Sequence, residues 1–257
     1  MTTTDPSSSS PAQSDETRPH PALTDHYDDL EKKQSFLRDA FDDAAPYYEG
    51  IAKWGWFGSG HSYRKDALQR AGMKPGMKVI DVASGTGPTA RAVIDIVGSA
   101  DLVTCIEPSA GMLAESEKLI SSVHHQAMAD DMPVDDNDFD FLTMGFALRH
   151  VEDLGSAFAE FHRVLKPGGS VVILDITMPK NRLGRWLMKI YFKHILPTLT
   201  RVFTRNEAAS YLMSYYWDTM DQMVPRETVL QALRKAGFSE VDEVEVLGVF
   251  TEYKGTK

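Results

Sequence analysis

Apolar positions along the chain follow two different periods. Runs at 78–83 (KVIDVA), 102–106 (LVTCI), 139–144 (FDFLTM) and 170–176 (SVVILDI) are short and rich in Val and Ile, whereas 109–121 and 154–165 carry helical patterns. Buried strands alternating with helices predict a doubly wound, Rossmann-like parallel α/β sheet with right-handed crossovers. Ahead of the first strand, residues 25–71 read as a helical cap, with Phe36, Leu37, Phe41 and Ala45 at helical spacing before the glycine-broken WGWFGSG. Beyond residue 178 a long helical stretch follows, of which 180–222 is expected to form a lid or substrate segment. A helix at 227–236 and two β-type runs, VDEVEVL and GVFTEYKG, close the chain. Residues 1–24 are Ser-, Thr- and Pro-rich with little to bury, so they are predicted to be disordered, and 25–257 to form a single domain.

Charge changes this picture in one place. The 257 residues carry a formal net charge of -10, which argues against general nucleic-acid binding, since phosphate neutralisation needs a basic footprint. Yet residues 180–206 contain no Asp or Glu, while Lys180, Arg182, Arg185, Lys189, Lys193, Arg201 and Arg205 all lie there. Arg182, Arg185, Lys189 and Lys193 recur at three- and four-residue spacing and so share a helix face. A basic amphipathic helix of this kind suits either peripheral contact with an anionic membrane or a lid with a solvated face. The single cysteine, Cys105, lies in an apolar run and reads as a buried thiol. No apolar stretch reaches the ~20 residues of a spanning helix, and a cytoplasmic location is expected. The eight histidines are scattered without metal-ligand spacing.

The chemistry starts at VIDVASGTGPTA, residues 79–90. Gly85 and Gly87 allow a sharp strand-to-helix turn that a ligand can approach closely. With Ala90 in the third position the turn also satisfies the dinucleotide fingerprint, and Glu107, at the end of the next strand, suits the ribose hydroxyls of NAD or of an adenosyl group. Both cofactors remain open on these residues. ADDMP, at 129–133, and LKPGG, at 165–169, belong to no dinucleotide fingerprint.

Taken in order, Asp81-x-x-x-Gly85-x-Gly87, the strand-end Glu107, ADDMP before FD, and LKPGG resemble a class I S-adenosylmethionine-dependent methyltransferase. The resemblance implies a seven-stranded sheet with an antiparallel last strand and S-adenosyl-L-methionine as cofactor. It implies that Gly85 and Gly87 pass under the methionine part, that Glu107 holds the ribose, and that Met112 packs on the adenine. Ala129 and Asp130 would meet the adenine edge, with Met128 where an Asp or Asn is frequent. Asp81, Ser84 and Phe146 complete the candidate cofactor set.

Outside this core, from about residue 41 to 257, the chain resembles the ubiquinone and menaquinone biosynthesis C-methyltransferase family. FDDAAPYYEGI places Tyr48 near the methyl donor; Phe57-Gly58 and Tyr63 to Lys65 match the next segment; GFALRHVED supplies Arg149, and His150 where Asn is usual. ILPTL, SYL, AGF and GVFTEYKGTK continue the likeness, but YLMSYYWDTMDQMVP is longer and more aromatic than the family pattern. The acceptor implied is a small, hydrophobic aromatic molecule. Ring C-methylation needs a carbon activated by loss of a phenolic proton. His150 is the candidate base and Arg149 the candidate stabiliser of the phenolate. Alternatives are an O-, N- or S-methyltransferase of another metabolite, an NAD(P)-dependent oxidoreductase, and a non-catalytic cofactor-binding protein.

Overall fold

The computed structural model describes residues 18–21, 30–55 and 60–257. Phe57 and Gly58 lie outside the described residues, as does the side chain of Phe36. Two helices come first, α1 (Leu30–Gly55) and α2 (Gly60–Arg70). The sheet is then built from β1 (Val79–Val82), β2 (Val103–Ile106), β3 (Val123–His125), β4 (Phe139–Gly145), β5 (Leu165–Ile176), β6 (Ser239–Val246) and β7 (Phe250–Thr256). Its spatial order is β3-β2-β1-β4-β5-β7-β6. β1 to β5 pair in parallel, and β7 inserts antiparallel between β5 and β6, with Ile173 opposite Tyr253. The antiparallel pair closes the chain as the resemblance implies. β6, SEVDEVEV, forms the outer edge, where its carboxylates discourage further strand pairing.

Every residue of β1 and β2 is buried, as expected of parallel strands covered on both faces. Ile80, Val82 and Ile106 join α5 (Leu154–Val164) and α9 (Arg226–Lys235) in one core. Val79, Val103 and Cys105 face α2 and α3 (Pro88–Val97) in another. Asp81 shares the strand face of Val79, so it points toward α2 and α3. β3, which no apolar run announces, is the short polar segment VHH at the edge.

A third core lies beyond the carboxyl ends of the strands. There α1 meets the segment after β5: α6 (Arg182–Ile190), a π-helical turn (Tyr191–Ile195), α7 (Leu196–Thr204) and α8 (Glu207–Asp221). Arg205, at φ 52°, ends α7, and Asn206 caps α8 through the Ala209 amide at 2.9 Å. Among these helices Leu37, Phe192, Leu212, Tyr215 and Trp217 are buried. Residues 18–21, within the stretch expected to be disordered, contact the domain in the described structure. The Val224 amide donates to the Pro19 carbonyl at 2.8 Å and His20 is buried, which offsets the entropy of fixing residues 18–21.

Candidate active site

In an open parallel sheet, ligands bind beyond the carboxyl ends of the strands, where order reverses on either side of β1. A cavity among the described residues lies there, between the glycine turn and the third core. Its polar half is lined by Ser84, Gly85, Glu107, Ser109, Met112 and Met128. Leu37, Phe41, Phe192, Leu196, Met213 and Tyr216 make the other half apolar and aromatic. Tyr48, Arg64, Thr89, Phe146 and His150 also face the space.

The turn itself needs its glycines. Gly87 sits at φ 84°, and a Cβ there would lie 2.9 Å from Ser116 Oγ and Ile120 Cδ1. Pro88 then opens α3 at a position where no amide donor is required. At the end of β2, Glu107 is held rigidly: one carboxylate oxygen accepts from the Gly85 amide at 2.8 Å, the other from the Ser109 amide at 2.9 Å. Burial pushes its carboxyl up to about 7, with the two amides opposing that shift and Asp42 adding to it. Each oxygen keeps a lone pair for a further donor. A desolvated carboxylate in want of donors, lining a cleft beside the exposed face of Gly85, fits the ribose diol of an adenosyl cofactor.

α1 closes over this half. Asp42 Oδ1 accepts from the Ser109 hydroxyl and from the Gly111 amide at 2.8 Å, at the N-terminus of α4 (Ala110–Leu119). Glu49 accepts from the Thr86 hydroxyl at 3.0 Å and pairs with Arg91. Gly111 permits the approach, because a Cβ there would stand 2.9 Å from the Asp42 Cα. Asp42 and Glu49 were absent from the sequence-derived site. Their seven-residue spacing, repeated by Phe41 and Tyr48, places each pair on one helix face and was a usable signal.

The sequence-derived residues divide in two. Tyr48, Ser84, Gly85, Glu107, Met112, Phe146 and His150 line the cavity. Asp81, Gly87, Ala129, Asp130 and Arg149 do not. Asp81 is fully buried beneath the turn, and burial raises its carboxyl to about 8, with Arg64 the main opposing influence; the Ala90 amide points at it without closing a full hydrogen bond. Ala129 and Asp130 sit at the tip of a tight turn bridged by Met128 and Asp131, so the Met128 side chain reaches the cavity in their place.

Arg149 and His150 diverge because they lie on a tight 3-10 turn, Leu148–His150. Leu148 and Arg149 turn inward. Arg149 is 2% exposed; its Nη1 lies 3.5 Å from Asp175 Oδ1, and its guanidinium stacks 3.7 Å from the centre of the Tyr216 ring. Tyr216 thus presents its own ring to the cavity with a cation behind it. His150 turns outward, edge-on to Phe41 with ring centres 5.3 Å apart and stacked on Tyr215 at 6.0 Å. Arg64, which the sequence reading passed over, donates to Thr89 Oγ1 at 3.2 Å and to the Gly60 carbonyl at 2.9 Å while covering the Phe146 ring.

This sheet, with its glycine turn above a strand-end carboxylate and an aromatic chamber beyond it, is the fold and cofactor cleft of the S-adenosylmethionine-dependent methyltransferase class. Solved structures share the fold: a SAM-dependent methyltransferase from Aquifex aeolicus covers 75% of this chain and 88% of its own, at 20% identity and a TM-score of 0.55. The cyclase SpnF, at 17% identity and a TM-score of 0.62 over 87% of this chain and 96% of its own, has the same architecture, so fold alone does not fix the reaction. Sequence does more. The demethylmenaquinone methyltransferase of Chlorobaculum parvum is 32% identical over 216 residues, 82% of this chain and 88% of that protein. The ubiquinone/menaquinone biosynthesis C-methyltransferase UbiE of Shewanella pealeana is 32% identical over 237 residues, 89% of this chain and 93% of its own. Residues 29–257 match the model of the ubiE/COQ5 methyltransferase family, and the chain belongs to that family. It is an enzyme that uses S-adenosylmethionine, which sets aside the nicotinamide and non-catalytic alternatives.

Proposed function

We propose that the enzyme methylates a ring carbon of a reduced, demethylated prenyl quinol. The observation that carries this reading is the composition of the chamber: a polar cofactor half continuous with an aromatic and aliphatic half, His150 standing among the rings. When bound, S-adenosylmethionine supplies an electrophilic methyl group. The chain's part is to align the acceptor carbon with it, exclude water and move one proton.

Phe41, Phe192 and Tyr216 offer ring surfaces to a planar acceptor, and Leu196 and Met213 offer space to an apolar tail. His150 takes the phenolic proton, which raises electron density at the ring carbon. Arg149, behind Tyr216, contributes positive potential that favours the phenolate, with Asp175 holding its guanidinium in place. Burial raises the Tyr48 and Tyr216 hydroxyls, so both remain protonated donors at neutral pH. The cationic face of Arg182, Arg185, Lys189 and Lys193 suits a protein that works at the periphery of a membrane, where prenyl quinols reside; among the described residues no helix is long and apolar enough to cross one.

Met213 and Tyr216 come from YLMSYYWDTMDQMVP, the stretch that departs from the family pattern. The decisive experiment therefore offers methyl-labelled S-adenosylmethionine with reduced demethylated quinols beside simple phenols and thiols, and follows product mass and label position. Label on a quinol ring carbon is expected; label on oxygen or sulfur with every quinol untouched would refute the reading. His150→Asn is expected to remove the lower inflection of the rate against pH, and an unchanged profile would dismiss His150 as the base.

A further inference from the structure

Half of the large apolar side chains that lie exposed among the described residues fall between positions 183 and 203. On α6, Leu183, Trp186 and Leu187 are 66, 57 and 54% exposed. Their three- and four-residue spacing puts them on one stripe. This is not the stripe that holds α6 to the protein: Met188, Tyr191 and Phe192 pack inward on the third core. At the far end of α7, Val202 and Phe203 are 63 and 71% exposed, and Ile195 lies exposed between the two groups. A helical segment that buries one apolar face and leaves a second in water lacks a partner for it.

The charges say which partner. Arg182, Arg185 and Lys189 flank the outer stripe of α6 and have no carboxylate partner among the described residues. Lys193 and Arg201 make surface contacts with Asp218 at 3.9 Å and Glu207 at 2.8 Å. A protein of net charge -10 thus carries, around this exposed apolar patch, a rim with no acid from 180 to 206. Cations beside Trp, Leu and Phe match the boundary of an anionic bilayer, where headgroups take the charges and acyl chains the rings. The same segment supplies Phe192 and Leu196 to the acceptor half of the cavity.

We propose that α6 and α7 form a wedge that inserts Leu183, Trp186, Leu187, Val202 and Phe203 into an anionic phospholipid bilayer and sets the acceptor half of the cavity against the lipid phase. The delivery of a tailed acceptor through this route rests on the quinol reading above; the docking does not. Lipid binding is therefore measured first without donor or acceptor. Parent protein is expected to float with phosphatidylcholine vesicles containing phosphatidylglycerol, less at high salt, with a blue-shifted tryptophan emission that brominated lipid quenches.

The double variants Leu183→Ser/Trp186→Ser and Val202→Ser/Phe203→Ser, checked for native circular dichroism, are each expected to weaken flotation by roughly tenfold or more. Their rate on a short-chain, water-soluble acceptor should match the parent's while the rate on a long-tailed acceptor in vesicles drops. Failure of the parent to float overturns the proposal, as does flotation that these variants leave intact. A concentration-dependent dimer that dissociates in the Ser variants, with vesicles ignored, assigns the face to a second copy of the chain and equally overturns it. Methylation of no quinol at all, with flotation as expected, would sink the quinol reading and leave the docking standing.

Discussion

Replacing Glu107 by Gln tests how the cofactor half works. In the ligand-free enzyme burial pushes this carboxyl from 4.5 up to about 7. Between those values the folded protein keeps a proton that the unfolded chain has released, so this group's contribution to stability falls as pH rises from 4.5 to about 7, by about 3 kcal/mol. Ribose hydroxyls donating to both oxygens favour the ionised form and pull the pKa back down. Cofactor binding is then coupled to proton release: about 0.8 proton at pH 6.5 and about 0.1 at pH 8. Affinity accordingly rises with pH until about 7 and then levels. Titration calorimetry with S-adenosylhomocysteine, repeated in buffers of different ionisation enthalpy, reads the proton number directly. In Glu107→Gln the release is expected to vanish and affinity to fall by about 1.5–3 kcal/mol, the worth of hydrogen bonds to a charged acceptor, or roughly 10- to 150-fold. Undiminished proton release in the variant would refute this reasoning and move the proton to Asp81, whose carboxyl is held near 8.

Two further substitutions probe the neighbouring parts. Arg149→Ala leaves Asp175 buried without its cation and is expected to cost about 3–5 kcal/mol in urea unfolding. Asp175→Asn in the same protein should restore stability without restoring turnover, whereas equal loss of turnover and cofactor affinity would end the assignment of Arg149 to the acceptor side. Gly111→Ala forces a methyl against the Asp42 backbone; we expect weaker S-adenosylhomocysteine binding and faster hydrogen exchange in α1, and unchanged values for both would show that α1 does not close the cleft.

Much of this molecule was legible in its sequence, for identifiable reasons. β1, β2, β4 and β5 are buried on both faces, and such strands read as unbroken apolar runs. β3 was invisible because an edge strand of three residues, one valine and two histidines, has no period to detect. Glu107 and the glycine turn lie next to one another through the β1–β2 pairing, so local motif and site coincide. Asp42, Glu49 and Arg64 escaped because their roles depend on how α1 and α2 fold back over the turn, at separations of 25 to 69 residues. Arg149 turns away from the cavity that His150 lines, a divergence a motif cannot convey, since a 3-10 turn sends adjacent residues to opposite sides. The basic helix was seen as a charge pattern; its second apolar stripe emerged only once the first was found packed.

The hold of α1 on the cofactor half also imposes a sequence in time. Asp42 and Glu49 bridge to the very loops that cradle the cofactor, while Leu37, Phe41 and Tyr48 on the same helix wall the acceptor's side. One helix therefore serves both compartments. An acceptor packed against its inner face is expected to hinder exchange of the nucleoside behind it. The kinetics are expected to be ordered, donor before acceptor and methylated product off before the spent nucleoside, and product-inhibition patterns of random order would refute this.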